Sequence, residues 1–155
     1  MKKIIDVCCG SRMFWFDKNN PNVLFVDNRT LETTLCDGRS LKVQPDEVMD
    51  FRKLNLPDNS FNFVVFDPPH MLTLGEKSWM AQKYGRLNRD TWQEDIKKGF
   101  AECFRVCIKD GVVIFKWSEY DIPIKDILAL TPNKPLFGHP SGKRQKTHWI
   151  VFIKT

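Results

Sequence analysis

The sequence predicts a single α/β domain, residues 1–155, built on a mostly parallel sheet whose last strand runs antiparallel. Three observations predict it. Short β-rich runs alternate with helical or crossover segments. Those runs are apolar on both faces, as in a parallel sheet covered on both sides. Four of them end in an acid, at Asp6, Asp27, Asp50 and Asp67. Open α/β sheets bind ligands beyond the carboxyl ends of their strands, and core packing alone would not choose acids there.

Residues 3–8 read as a short buried strand running into Cys9-Gly10-Ser11. Met13 to Phe16 reads as a brief helix, and the Asn-rich cluster around Pro21 as a turn. Val23 to Asp27 is a second strand. Asp37-Gly38, a strong turn dipeptide, places a hairpin over 32–43. Glu47 to Asp50 is a short strand. Phe61 to Asp67 is the most strand-like run and stops at Pro68-Pro69, which cannot continue it. Residues 71–90 read as a long loop or lid. A helix follows over 91–107, with Trp92, Ile96, Phe100, Cys103 and Cys107 on one face and Thr91 or Asp90 to cap it. Lys109-Asp110-Gly111 ends it. Strand 112–117, helix 124–130, a strand stub at 135–137, a basic loop over 138–146 and a final strand at 148–153 complete the chain.

Hydrophobic residues make up 42% of the sequence, enough for a buried core, and no apolar run approaches the roughly 18 residues of a membrane span. The expected setting is the cytoplasm, with no membrane partner. The net charge of +5 favours a polyanionic partner such as nucleic acid, although it also serves solubility. Five cysteines, an odd number, argue against a disulfide framework. Three scattered histidines offer no ligand spacing, so no metal site is expected.

The first strand-end loop, Asp6 to Ser11, offers a small residue, Gly10, where a backbone can approach a ligand closely. Ser11 and the amides after it would meet a carboxylate at a helix start. Asp27 stands about twenty residues after the first strand, as an acid accepting ribose hydroxyls does; it reads equally as a turn acid beside Asn28. Asp50 suits an adenine amino group or a plain strand-end cap. Asp67-Pro68-Pro69-His70 is the sharpest signal. The rigid turn sets a carboxylate and the Pro68 carbonyl side by side as acceptors, and proline brings no donor. Two acceptors suit the two hydrogens of an amine. They aim its lone pair at an electrophile and stabilise charge developing on nitrogen. His70 adds a flat ring for stacking on a base.

With these residues placed, the chain resembles the Rossmann-like (class I) methyltransferases, specifically the amino-methyltransferases with a D/N-P-P-aromatic motif, the DNA adenine and cytosine-amino methylases among them. Asp67-Pro68-Pro69-His70 matches that motif, with His where Tyr, Phe or Trp is usual. Asp6 to Ser11 is similar to the D-P-F-x-G-S-G cofactor loop. Val7-Cys8 replaces the usual Pro-Phe, and Arg12 stands where a second glycine is common. The resemblance implies S-adenosylmethionine as cofactor. It puts Asp6, Cys8, Gly10, Ser11 and Asp27 along the methionine and ribose, Asp50 at the adenine, and Asp67, Pro68, Pro69 and His70 at the target amine. Arg12 would crowd the cofactor or pair with its carboxylate. No room remains for a separate target-recognition domain. Recognition then falls to Trp79 and Tyr84 in the 71–90 loop, to Lys143, Arg144 and Lys146 in the basic loop, or to a recognition partner or second copy.

Overall fold

The computed structural model describes residues 1–72, 81 and 85–155. Strands β1 (Ile4–Asp6), β2 (Val23–Asp27), β5 (Glu47–Val48), β6 (Phe61–Phe66), β7 (Cys107–Ser118), β8 (Phe137–Ser141) and β9 (Thr147–Ile153) form one seven-stranded sheet in the order β5-β2-β1-β6-β7-β9-β8. Neighbours from β5 to β7 pair in parallel. β9 is antiparallel to both β7 and β8, so it alone runs against the rest. The expected mostly parallel sheet with an antiparallel last strand is therefore observed. Strands β3 (Leu31–Thr34) and β4 (Ser40–Val43) form a separate hairpin, with Gly38 at φ +86° in its turn. That is the backbone the Asp-Gly dipeptide supplies.

Helix α1 (Trp92–Val106) covers one face of the sheet. Ile96, Phe100, Cys103 and Phe104 recur at helical spacing and are buried. They pack with Phe66, Phe115 and Phe152, whose ring centroids lie 4.7 to 6.0 Å from that of Phe100 or Phe104. Glu94 and Asp95 in the first turn and Arg105 in the last suit the helix dipole. Arg105 also reaches the carbonyls of Leu54 and Leu56 and so anchors the β5–β6 connection. Gly99 permits this packing: a Cβ there would strike the Phe66 and Phe51 rings. The short helix α2 (Ile124–Leu128) adds Ile127 to the same core.

Several expectations need correction. Residues 13–16 form turns, not a helix. Tertiary contacts win over a four-residue helix: Trp15 packs edge-on against Phe25 at 5.3 Å, and Phe14 against Trp149 at 5.7 Å. Helices α1 and α2 lie on one side of the sheet, and on the opposite side Trp15 of this loop packs with Phe25 and Val23. The α1 cap also differs. The Thr91 hydroxyl donates to Asp95 and leaves the helix backbone uncapped by a side chain. After α1 the chain enters β7 at once, with Asp110 at φ +64° and a register shift opposite Phe61 and Phe63, where a helix stop was expected. Finally, Gly138 to Ser141 belongs to edge strand β8 and not to the basic loop. An edge strand tolerates Pro140 and needs no apolar alternation, so its sequence carried no strand signal.

Candidate functional site

The carboxyl ends of β1, β2 and β6 open into a cleft of about 380 Å³, within the range of small-ligand pockets. Its wall includes Cys8, Gly10, Ser11, Asp27, Asp67, Pro68, Pro69 and His70. The Gly10 loop, Asp27 and the Asp-Pro-Pro turn, scattered over sixty residues of sequence, thus meet in one place. They meet because β1 lies between β2 and β6 in the sheet.

Gly10 adopts φ +52°. Its amide donates to Asp27 Oδ2 at 2.9 Å, while the Cys9 amide bonds the Val26 carbonyl at 2.8 Å. These bonds clamp the β1 loop onto the end of β2. The other oxygen, Asp27 Oδ1, accepts from the Arg29 amide at 3.2 Å. Cys8 borders the cleft, and burial pushes its thiol pKa well above the usual value, so it stays a neutral wall residue.

Asp6 lies beneath this loop, fully buried, and does not line the cleft. Trp15 Nε1 donates to its Oδ2 at 2.8 Å and the Cys8 amide to its Oδ1 at 3.2 Å. Burial pushes the carboxyl pKa from 3.8 up to about 7, against the opposing Trp15 hydrogen bond, with Asp67 adding a like charge. Asp50 is likewise outside the cleft wall. Arg52 grips it, with Nη2 at 2.6 Å from Oδ2, and holds its pKa low. Phe51, the next residue, faces the cleft instead. Arg12 neither crowds the cleft nor points into it. Its guanidinium spans the Lys18 and Gln44 carbonyls at 2.6 and 2.8 Å and stacks 4.0 Å over the Phe25 ring, which ties down the loop that stands in for a first helix. No helix start is therefore offered to a carboxylate after Ser11.

At the end of β6, His70 turns back onto the motif. Its Nε2 lies 3.0 Å from Asp67 Oδ1, and its ring meets Trp117 edge-on at 4.8 Å. His70 Nδ1 is buried without a partner among the described groups, a polar atom awaiting a donor or acceptor. Asp67 Oδ2 faces Lys116 Nζ at 3.7 Å, an ion pair too long for a hydrogen bond.

Sequence reasoning missed Lys116, Phe14, Phe51, Arg29 and Arg86, all on the cleft wall. For Lys116 a signal existed: it is a lone charge inside the apolar run Val112 to Trp117. The basic residues Lys143, Arg144 and Lys146 are not in the cleft. Ser118 and Ser141 both pair with Thr147, so the turn after β8 projects from the carboxyl edge of the sheet, the same edge as the cleft. Trp79 and Tyr84 lie outside the described residues. Among the described residues no cluster of His, Cys, Asp and Glu could hold a metal ion, and no helix is long and apolar enough to cross a membrane.

Strand order and the reversed β9 make a Rossmann-like α/β sheet, and solved methyltransferases share this fold. A SAM-dependent methyltransferase from Methanosarcina mazei superposes with a TM-score of 0.60 at 12% identity, over 99% of this chain and 94% of that one. A TehB-like SAM-dependent methyltransferase from Corynebacterium glutamicum gives 0.60 at 15% identity, over 99% and 80%. A protein from Pyrococcus horikoshii gives 0.62 at 14% identity, over 98% and 81%. At these identities the likeness is one of fold. No family model matches the chain, and no curated protein matches it in sequence.

Proposed function

We propose that this protein transfers a methyl group from S-adenosylmethionine to an exocyclic amino group of a nucleic-acid base, adenine ahead of cytosine and DNA ahead of RNA. One observation carries the reading: the Asp67-Pro68-Pro69 turn opens into the same cleft as Gly10 and Asp27. A loop that admits a close ligand and an acid suited to ribose thus adjoin a pair of acceptors suited to an amine.

The residues present fit the cofactor. Gly10 lets it approach the backbone, Asp27 accepts from ribose hydroxyls, and Cys8, Ser11 and Phe51 form the wall. Asp6 and Asp50 support from behind, the first under the loop and the second on Arg52. When bound, the cofactor supplies a methyl group on a positively charged sulfur. Asp67 Oδ2 and the Pro68 carbonyl hold the amine by its two hydrogens and direct its lone pair outward. The Asp67 carboxylate would stabilise the positive charge that develops on the amine nitrogen as it accepts the methyl group. The surplus proton then leaves through Asp67 to water. His70, with Nε2 3.0 Å from Oδ1, steadies the carboxylate and leaves Oδ2 to the substrate.

The net charge of +5 and the basic turn at Lys143, Arg144 and Lys146 support a nucleic-acid substrate. Calorimetry with S-adenosylmethionine and its demethylated product is the first test. Binding that Asp27→Ala weakens supports the reading; a wild type that binds neither overturns it. Transfer of labelled methyl to DNA then tests Asp67→Ala. A loss of about a hundredfold or more in rate is expected, with cofactor binding kept. Activity retained in that variant removes Asp67 from the chemistry.

A further inference from the structure

The catalytic turn is the first member of a row. Parallel register puts Phe66 opposite Phe115, so Asp67 and Lys116 follow side by side, as their 3.7 Å approach shows. Lys116 stands opposite Trp149 on β9, and Trp149 opposite His139 on β8. Directly paired residues share a face. Asp67, Lys116, Trp149 and His139 therefore cross four strands in one line, on the face away from α1. At the usual strand spacing the line is ~14 Å long.

The chemistry along this line suits one kind of ligand. Lys116 Nζ lies 5.5 Å from the ring centroids of both Phe14 and Trp149. Trp149 is half-buried and His139 is exposed. The next row on the same face, Ile114, Val151 and Phe137, is apolar, and Phe137 is 62% exposed. The basic turn Lys143 to Lys146 stands at the carboxyl end of the same strands. Aromatic rings beside a cationic edge hold unstacked bases and their phosphates, whereas a duplex keeps its base faces to itself. The hydroxyls bordering the row are turned to β9 itself: Ser118 Oγ and Thr147 Oγ1 bond one another, and Ser141 Oγ bonds the Thr147 carbonyl. A ribose 2′-hydroxyl is thus not what they are set to read.

We propose that this row is the seat of single-stranded DNA flanking the target base, with Trp149 and His139 stacking on bases and Lys116 and the basic turn meeting phosphates. The inference rests on the methyl-transfer reading for its direction, since the row leads into Asp67. The test is anisotropy of a short dye-labelled single-stranded DNA, of its duplex and of the matching RNA, with calorimetric S-adenosylmethionine binding measured in parallel. Trp149→Ala should weaken single-stranded DNA by about tenfold or more, Trp149→Phe should recover most of that, and His139→Ala should weaken it severalfold. Cofactor affinity should stay. Wild type that prefers duplex or RNA overturns the proposal, as does unchanged single-strand binding in His139→Ala and the Trp149 variants. Should Trp149→Ala not fold, Trp149→Phe and His139→Ala decide. Cofactor binding without single-strand binding sinks this seat alone. Single-strand binding through the row without cofactor binding sinks the methyl-transfer reading and leaves the seat.

Discussion

The two faces of the sheet are built differently. On one, Phe66, Phe115, Trp117 and Phe152 are fully buried under α1 and make a ring-on-ring core. On the other, Asp6, Lys116 and Trp149 alternate with apolar residues, and one loop meets them at its edges: Trp15 donates to Asp6, Phe14 touches Trp149 edge-on, and Arg12 stacks over Phe25. The first face is all packing. The second admits a carboxylate whose neutral form is favoured and a lysine beside an acid. The difference teaches where this small chain can place chemistry. A helix seals the face that carries stability, and a loop keeps strand-end groups reachable on the face that carries the site.

The largest expected effect lies on the helix-covered face. Phe100→Ala should cost ~3–5 kcal/mol of stability, read as a lower urea midpoint with an unchanged slope. A cost below ~1 kcal/mol would mean that α1 does not carry the core.

Next comes Asp6. Its folded pKa is raised from 3.8 to about 7, so between those values the folded state holds more protons than the unfolded one. Stability from this group is therefore greatest at low pH and is lost as pH rises through about 7. At about 1.4 kcal/mol per pH unit the full span is on the order of 4 kcal/mol. Asp6→Asn should flatten the fall in urea stability between mildly acid and mildly alkaline buffer. Equal slopes in both proteins would show that another group titrates.

The smallest effect belongs to the rim. Lys143→Ala and Lys146→Ala should leave folding unchanged and weaken DNA binding modestly. Each should reduce the dependence of log affinity on log salt by ~1. An unaltered salt slope would place the phosphates elsewhere and separate the turn from the site.

Much of this was legible in the sequence because it is local. The Asp67-Pro68-Pro69 turn announces itself by strand run, acid and chain stop within nine residues. The Asp37-Gly38 hairpin and the α1 stripe are equally short-range patterns. The illegible parts depend on what lies opposite. Residues 13–16 look helical alone and are held as turns by Phe25 and Trp149. The motif acids Asp6 and Asp50 are alike on paper, yet one is buried on Trp15 and the other clasped by Arg52. Arg12, a candidate cofactor contact, was claimed by two carbonyls and a ring.

By itself, then, the sequence determined most of the strand runs, the acids near their ends and the Asp67-Pro68-Pro69 turn, because alternation, turn chemistry and proline stops act over a few bonds. Only the tertiary structure decided which of those acids face the cleft, that Lys116 stands beside Asp67, and that Trp149 and His139 extend the line. Strand order and register bring residues from distant segments to a few ångströms, and no short stretch of sequence encodes that proximity.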